Sequence, residues 1–191
     1  VDNRIVQIDC SGWHEFQRPG SHPTHYKLGL FNPNYNECPE IYYLDLSLII
    51  QAPLAKLIKH AQMQSTDLVI VKDWYHDSFN SCVMRIRADK LHFIYDDFVA
   101  GKTYPEHVPG DQDFITGAMK ARNQTAAFFP DEQIVSFKKT MRQGLTDWSA
   151  ARAKADGAAI VKFHGRPKTH QIFHPGYMAW HYRLKYLLRG A

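Results

Sequence analysis

The chain has 191 residues, enough for one domain with a substantial core. Apolar residues make up 45% and charged residues 22%, which excludes a disordered chain, and no run is long enough to cross a bilayer. Lysine and arginine number 23 against 19 acidic residues, a net charge of +4 that suits an anionic ligand without demanding one.

The basic excess is uneven. No acidic residue follows Asp156, whereas Lys162, Arg166, Lys168, Arg183, Lys185 and Arg189 do. Three cysteines, Cys10, Cys38 and Cys82, are odd in number and form no C-x-x-C pair. That pattern argues against a disulfide framework or a cysteine zinc site, and for reduced, mostly buried thiols. The opening Val1-Asp2-Asn3-Arg4 is not the pattern of a signal peptide. The expectation is a single soluble domain over 1–191, cytoplasmic in location.

In chain order, Arg4 to Asp9 alternates like a strand, and residues 11–25 are rich in Gly, Pro, Ser and His, hence a loop. Tyr26 to Phe31 predicts a short helix stopped by Asn32-Pro33-Asn34. Ile41 to Leu44 is a strand, and Pro53 to His60 a helix with proline near its first turn. Leu68 to Val71 and Cys82 to Ile86 are buried strands. Asp89 opens a helical pattern with Leu91, Ile94, Tyr95 and Phe98 on one side. A helix follows Gly110, with Asp111 at its cap or in its first turn. Ala158 to Phe163 is a strand, and Tyr177 to Leu188 has helical spacing of Trp180, Leu184, Leu187 and Leu188. Strands alternating with helices give an α/β fold.

Asp45 is the most informative residue, because it stands inside the apolar run Ile41 to Ile50. Burying a lone carboxylate is costly, so Asp45 must lie at an open strand end, pair with something, or face a cation. Other familiar signatures are absent: no G-x-G-x-x-G, P-loop, G-x-S-x-G or H-E-x-x-H occurs. Read singly, Asn80 is as easily a turn cap before a strand, and Asp111 a helix cap. A lone His164 at a strand end is more often a structural hydrogen-bonder.

Four segments nevertheless come in a telling order: Tyr43-Leu44-Asp45-Leu46-Ser47, Phe79-Asn80-Ser81-Cys82-Val83-Met84, Pro109-Gly110-Asp111-Gln112-Asp113-Phe114 and Ile160-Val161-Lys162-Phe163-His164-Gly165-Arg166-Pro167-Lys168. Together with Lys27-Leu28-Gly29-Leu30-Phe31 and Phe129 to Lys138, they resemble the GT-A-fold glycosyltransferases related to family 8, from about Lys27 to Lys168. The resemblance implies a GT-A-like mixed sheet flanked by helices and metal-assisted transfer of a hexose from a nucleotide sugar, most simply a UDP-hexose, to an unknown acceptor. It implies that Asp45 and His164 hold Mn2+ or Mg2+, that Lys168 contacts the diphosphate, and that Asn80 and Asp113 bind the donor. Asp111 and Gln112 would be the catalytic pair, with Gln112 near the reacting carbon and configuration retained. Ser47 stands at the second acidic position of the family's Asp-x-Asp, where a hydroxyl is a weaker ligand than a carboxylate. Only one strand and a loop precede Lys27, which implies an incomplete nucleotide-binding part.

Two other classes compete. A catalytically impaired sugar-nucleotide or carbohydrate-binding relative is motivated by Ser47 and the short N-terminal part. A nucleic-acid or membrane-surface protein would use the aromatic and basic residues Tyr177, Trp180, Tyr182, Arg183, Lys185, Tyr186 and Arg189. Their helical spacing is better explained by packing, and nucleic acid is not the expected partner. His170 and His174 have zinc-like spacing, but Pro175 follows them, so surface histidines are the better reading.

Overall fold

A computed structural model describes residues 16, 22–35, 38–105, 110–141 and 157–165. The N-terminal strand, the C-terminal helix, His170, His174 and Lys168 lie outside the described residues. The architecture is α/β, built on two small mixed sheets. Strands β1 (Glu40–Leu44), β2 (Leu48–Ile50), β3 (Leu68–Lys72), β4 (Phe79–Arg87), β5 (Ala127–Phe128), β6 (Ile134–Ser136) and β7 (Ile160–Lys162) supply them. The first sheet has the order β1-β4-β3-β5 and the second β2-β7-β6.

The alternation of β3 explains why the run Leu68 to Val71 is apolar throughout. Leu68 and Ile70 point into a cluster with Leu28, Phe31, Met84, Ile86, Ile94 and Ile115. Val69 and Val71 point the other way, to Leu57, Ala61, Val83, Ile134 and Ile160. A sheet covered on both faces needs no polar side. Helices α1 (Ala55–Met63), α2 (Ala88–Leu91), α3 (Phe93–Val99) and α4 (Asp111–Ala121) provide the covering layers. The short helix expected before Asn32 is a 3-10 helix, Pro23–Phe31, that buries Leu28, Leu30 and Phe31.

The apolar run around Asp45 is not one strand. It ends in the first sheet at Leu44, turns at Leu46 and Ser47, and resumes in the second sheet at Leu48. Asp45 therefore sits where the chain crosses from one sheet to the other, with its N–H donating to Cys82 O at 2.9 Å. β5 and β6 lie in a stretch whose strands were not predicted, since pieces of two and three residues carry too little periodicity.

Two buried polar networks lock this frame. Arg85 is fully buried and donates through Nη2 to the carbonyls of Ala61 and Gln64, each at 3.1 Å, so β4 satisfies the open C-terminal end of α1. Asp97 on α3 receives the guanidinium of Arg122, the Tyr104 hydroxyl and Lys102 Nζ, the last at 2.7 Å. The Arg122 hydrogen bonds and, against them, burial leave the Asp97 carboxyl well below the usual carboxylate range. Cys82 is buried as expected, whereas Cys38 is exposed.

Candidate active site

The crossing at Asp45, the start of β4, the first turn of α4 and the end of β7 meet around a cavity of about 280 Å³. Asp45, Ser47, Asn80, Asp111, Gln112 and His164 all line it. Six of the eight residues singled out by sequence thus converge on one place. Asp113 does not line this cavity and is buried on α4. Lys168 is outside the described residues.

The α4 end of the cavity depends on a glycine. Gly110 has φ of 151°, and a Cβ there would lie 2.9 Å from Thr24 Oγ1 and 3.6 Å from His22 Nδ1. Its absence lets the Asp111 N–H donate to Thr24 Oγ1 at 3.2 Å. Asp111 lies in the first turn, where a carboxylate complements the helix dipole. Its Oδ2 also receives the Ser81 hydroxyl and lies 3.4 Å from Lys27 Nζ. Lys27 in turn donates to Ser81 Oγ at 3.2 Å and rests over the Tyr43 ring.

Asn80 is held by protein on both sides of its amide. Its Nδ2 donates to Asp73 Oδ2 at 2.7 Å, and its Oδ1 accepts from the Cys82 N–H at 3.2 Å. Asp73 Oδ1 accepts from the N–H groups of Tyr75 and His76, so Asn80 ties the 73–78 turn to β4. The turn-holding reading of Asn80 is therefore met in the structure, and one amide hydrogen is left for a ligand. Cys82, behind it, is a poor nucleophile: burial pushes its thiol up to about 12.

Asp45 is paired with two cations. Lys162 Nζ donates to Asp45 Oδ2 at 2.7 Å and also to Ser47 Oγ. Ser47 Oγ donates to the same carboxylate at 2.8 Å, and Lys27 Nζ stands 3.8 Å away. Burial works against the anion, but Lys27 and Lys162 together outweigh it and hold the carboxyl at about 2. Neither lysine was assigned a role from sequence. The available signal was Lys162 itself, a lone cation in the apolar strand run Ile160-Val161-Lys162-Phe163.

His164 follows β7. Its Nε2 is buried and has no hydrogen-bond partner among the described residues, while Trp74 and Tyr75 pack edge-on against its ring at 5.0 and 5.7 Å. Burial first, and the Lys162 charge second, lower it to about 4, so the imidazole is neutral in neutral solution. Neutral imidazole suits a metal, yet the rest of the donor set does not. Among the described residues no three His, Cys, Asp or Glu side chains come together for one. Lys162, Lys27 and the Ser47 hydroxyl all gather on Asp45 Oδ2, and a dication bound by this carboxylate would face two positive charges. These residues do not fit a divalent cation.

No family model matches the sequence. No curated protein matches it. Solved structures do match in fold. The galactosyltransferase LgtC, in complex with donor and acceptor sugar analogues, superposes with a TM-score of 0.51 at 17% identity over 82% of this chain and 62% of that one. The glycosyltransferase GlyE of Streptococcus pneumoniae TIGR4 gives 0.53 at 16% identity over 78% of this chain and 40% of that one. An active-site mutant of LgtC gives 0.51 at 16% identity, covering 87% of this chain and 66% of that one. The chain thus spans less than two thirds of the length of the solved structures it matches. Among the described residues no helix is long and apolar enough to cross a membrane. The mixed sheets, the flanking helices and these neighbours together show that the chain has the fold of GT-A-type glycosyltransferases.

Proposed function

We propose that this chain transfers a hexose from a nucleotide-sugar donor, in the simplest case a UDP-hexose, to an acceptor that reaches the same cavity. The observation that carries the reading is convergence. Residues from four separate segments, Asp45, Asn80, Asp111 with Gln112, and His164, line one polar cavity. LgtC was solved with donor and acceptor sugar analogues, and its active-site mutant exchanges a glutamine for a glutamate. Gln112 brings that side-chain type to this cavity.

In this reading, Gln112 and Asp111 face the sugar from the first turn of α4. Lys27 and Ser81 hold the Asp111 carboxylate in place, which fixes one acceptor for a sugar hydroxyl. The remaining Asn80 amide hydrogen and His164 Nε2, which has no partner among the described residues, supply further polar contacts to hydroxyls or phosphate. Positioning and charge complementarity at the leaving diphosphate then provide the rate enhancement. Lys168 would add a phosphate contact beyond the described residues. The odd number of cysteines and the lack of a C-x-x-C pair support a cytoplasmic setting.

The test is incubation with UDP-glucose and UDP-galactose and chromatographic detection of released UDP. Turnover is expected, and Gln112→Ala should lower it about 100-fold while changing donor affinity far less. Equal losses of affinity and turnover in that variant would remove Gln112 from the reacting centre. A second reading, a non-catalytic sugar-nucleotide-binding relative, is favoured by Ser47 and by the engagement of both ends of the Asn80 amide. It predicts donor binding in calorimetry with no UDP release.

A further inference from the structure

We propose that the ammonium groups of Lys162 and Lys27 stand in for a divalent cation, so that this cavity holds the phosphates of a nucleoside diphosphate without metal. The inference rests on reading the cavity as a nucleotide-sugar site, and it identifies what meets the phosphate charge there.

Three observations carry it. First, Lys162 Nζ contacts Asp45 Oδ2 at 2.7 Å and the Ser47 hydroxyl, the two side chains that flank the crossing between the sheets. A point cation held by Asp45 and residue 47 is therefore present, and it belongs to the protein. Second, the backbone fixes it there. The β2–β7 ladder sets Leu48 opposite Lys162, and the Phe163 N–H donates to Ser47 O at 2.9 Å. This pairing places the Lys162 stem beside the crossing, on the central strand of the second sheet.

Third, the charges and donors fit an anion arriving. Two carboxylates, Asp45 and Asp111, face two ammonium groups, Lys162 and Lys27, so the protein's own charges balance here. A phosphate brings acceptors that the ammonium hydrogens can share, which a dication does not. Lys162 uses two of its three N–H groups on Asp45 and Ser47 and keeps one. Lys27 donates to Ser81 Oγ at 3.2 Å and stands 3.4 Å from Asp111 and 3.8 Å from Asp45, so a second ammonium lines the same cavity. Ser47 is the residue that permits this arrangement. A hydroxyl accepts from Lys162 and donates to Asp45 at once, which a carboxylate at the same position cannot do.

The deciding experiment is titration calorimetry of the 191-residue chain with UDP, GDP, ADP and CDP, in EDTA and in Mn2+. At least one nucleotide should bind, with affinity in EDTA within about twofold of that in Mn2+. Lys162→Met should weaken binding by about tenfold or more, and Lys162→Arg should restore it to within about threefold, because a charge-assisted contact is lost and returned. The double variant Ser47→Asp with Lys162→Met should make binding depend on Mn2+. Electron paramagnetic resonance of Mn2+ should show the ion immobilised only in that double variant. Binding by the original chain that disappears in EDTA and returns with Mn2+ would overturn the lysine substitution and leave the donor reading intact. No binding of any of the four nucleotides in either condition would overturn the donor reading and this inference with it. If Lys162→Met does not fold, the EDTA comparison and Lys162→Arg decide between these outcomes alone.

Discussion

Asp45→Asn removes one negative charge at the junction of the two sheets and keeps the shape. At an effective dielectric of about 20, ammoniums at 2.7 and 3.8 Å attract the carboxylate by about 6 and about 4 kcal/mol. Most of that is consumed by burial, since only 22% of the side chain is exposed. What survives is the fall from 3.8 to about 2, equivalent to about 2 kcal/mol in favour of the ionised form. The variant should therefore lose at least about 2 kcal/mol in neutral buffer, and as much as about 4 kcal/mol because two ammoniums are left facing no carboxylate there.

The sign of the pH dependence follows. A carboxyl held below its ordinary value contributes its full stability above the unfolded value of 3.8, and loses it as pH falls through about 2. The gap between the parent chain and Asp45→Asn should be widest in neutral buffer and should close over that acid range. Urea denaturation followed by tryptophan fluorescence measures both curves. In heat, the neutral gap is a drop of about 4–16 °C in Tm. A variant as stable as the parent in neutral buffer, or a gap that stays constant into acid, would refute the pairing of Asp45 with Lys162 and Lys27.

Two further substitutions probe the frame that carries the site. Asp97→Ala strands Arg122 and Lys102 and leaves the Tyr104 hydroxyl without its acceptor, at an expected cost of about 2–4 kcal/mol in urea unfolding. Because Asp97 too is held below the carboxylate range, the difference should be complete in neutral solution and should vanish only in acid below the ordinary carboxylate value. Gly117→Ala would gain helix propensity on a solvated helix. Here its Cβ would overlap Tyr104 Cβ and lie 2.6 Å from Cγ, so it should instead destabilise by about 1–3 kcal/mol, measured by thermal melting.

The fold was legible where long periodic runs exist. The apolar stretch Leu68 to Val71, the pattern from Leu91 to Phe98 and the helix after Gly110 lie where expected, because burial on one or both faces writes a period into the sequence. Boundaries were less legible. β4 begins at Phe79 and not near Cys82, since Asn80 and Ser81 are buried polar residues whose partners are Asp73 in the preceding turn and the distant Lys27 and Asp111. Tertiary hydrogen bonds paid their burial cost, and no local pattern announces that. The division of the run Ile41 to Ile50 between two sheets was hidden for a related reason. Both halves are apolar, and the crossing is marked only by Asp45 and Ser47.

The site was legible as far as its residues are named by kind, and less so in how they pair. Asp45 demanded an open strand end, a partner or a cation, and it has all three in one arrangement. The demand ran the other way as well. Lys162 is a lone ammonium in an apolar strand and incurs the same burial cost, so it too required an opposite charge. Paired, the carboxylate at the crossing and the ammonium in β7 offset each other's burial cost. The choice of residue at 47 follows from it. With Lys162 supplying the positive charge, a second carboxylate would leave the pair over-neutralised, and a serine that bridges acid and ammonium closes the network. In the proposed reading Ser47 marks a change in the source of the cation, and that reading of the cavity as a diphosphate site turns on Lys162 as much as on Asp45.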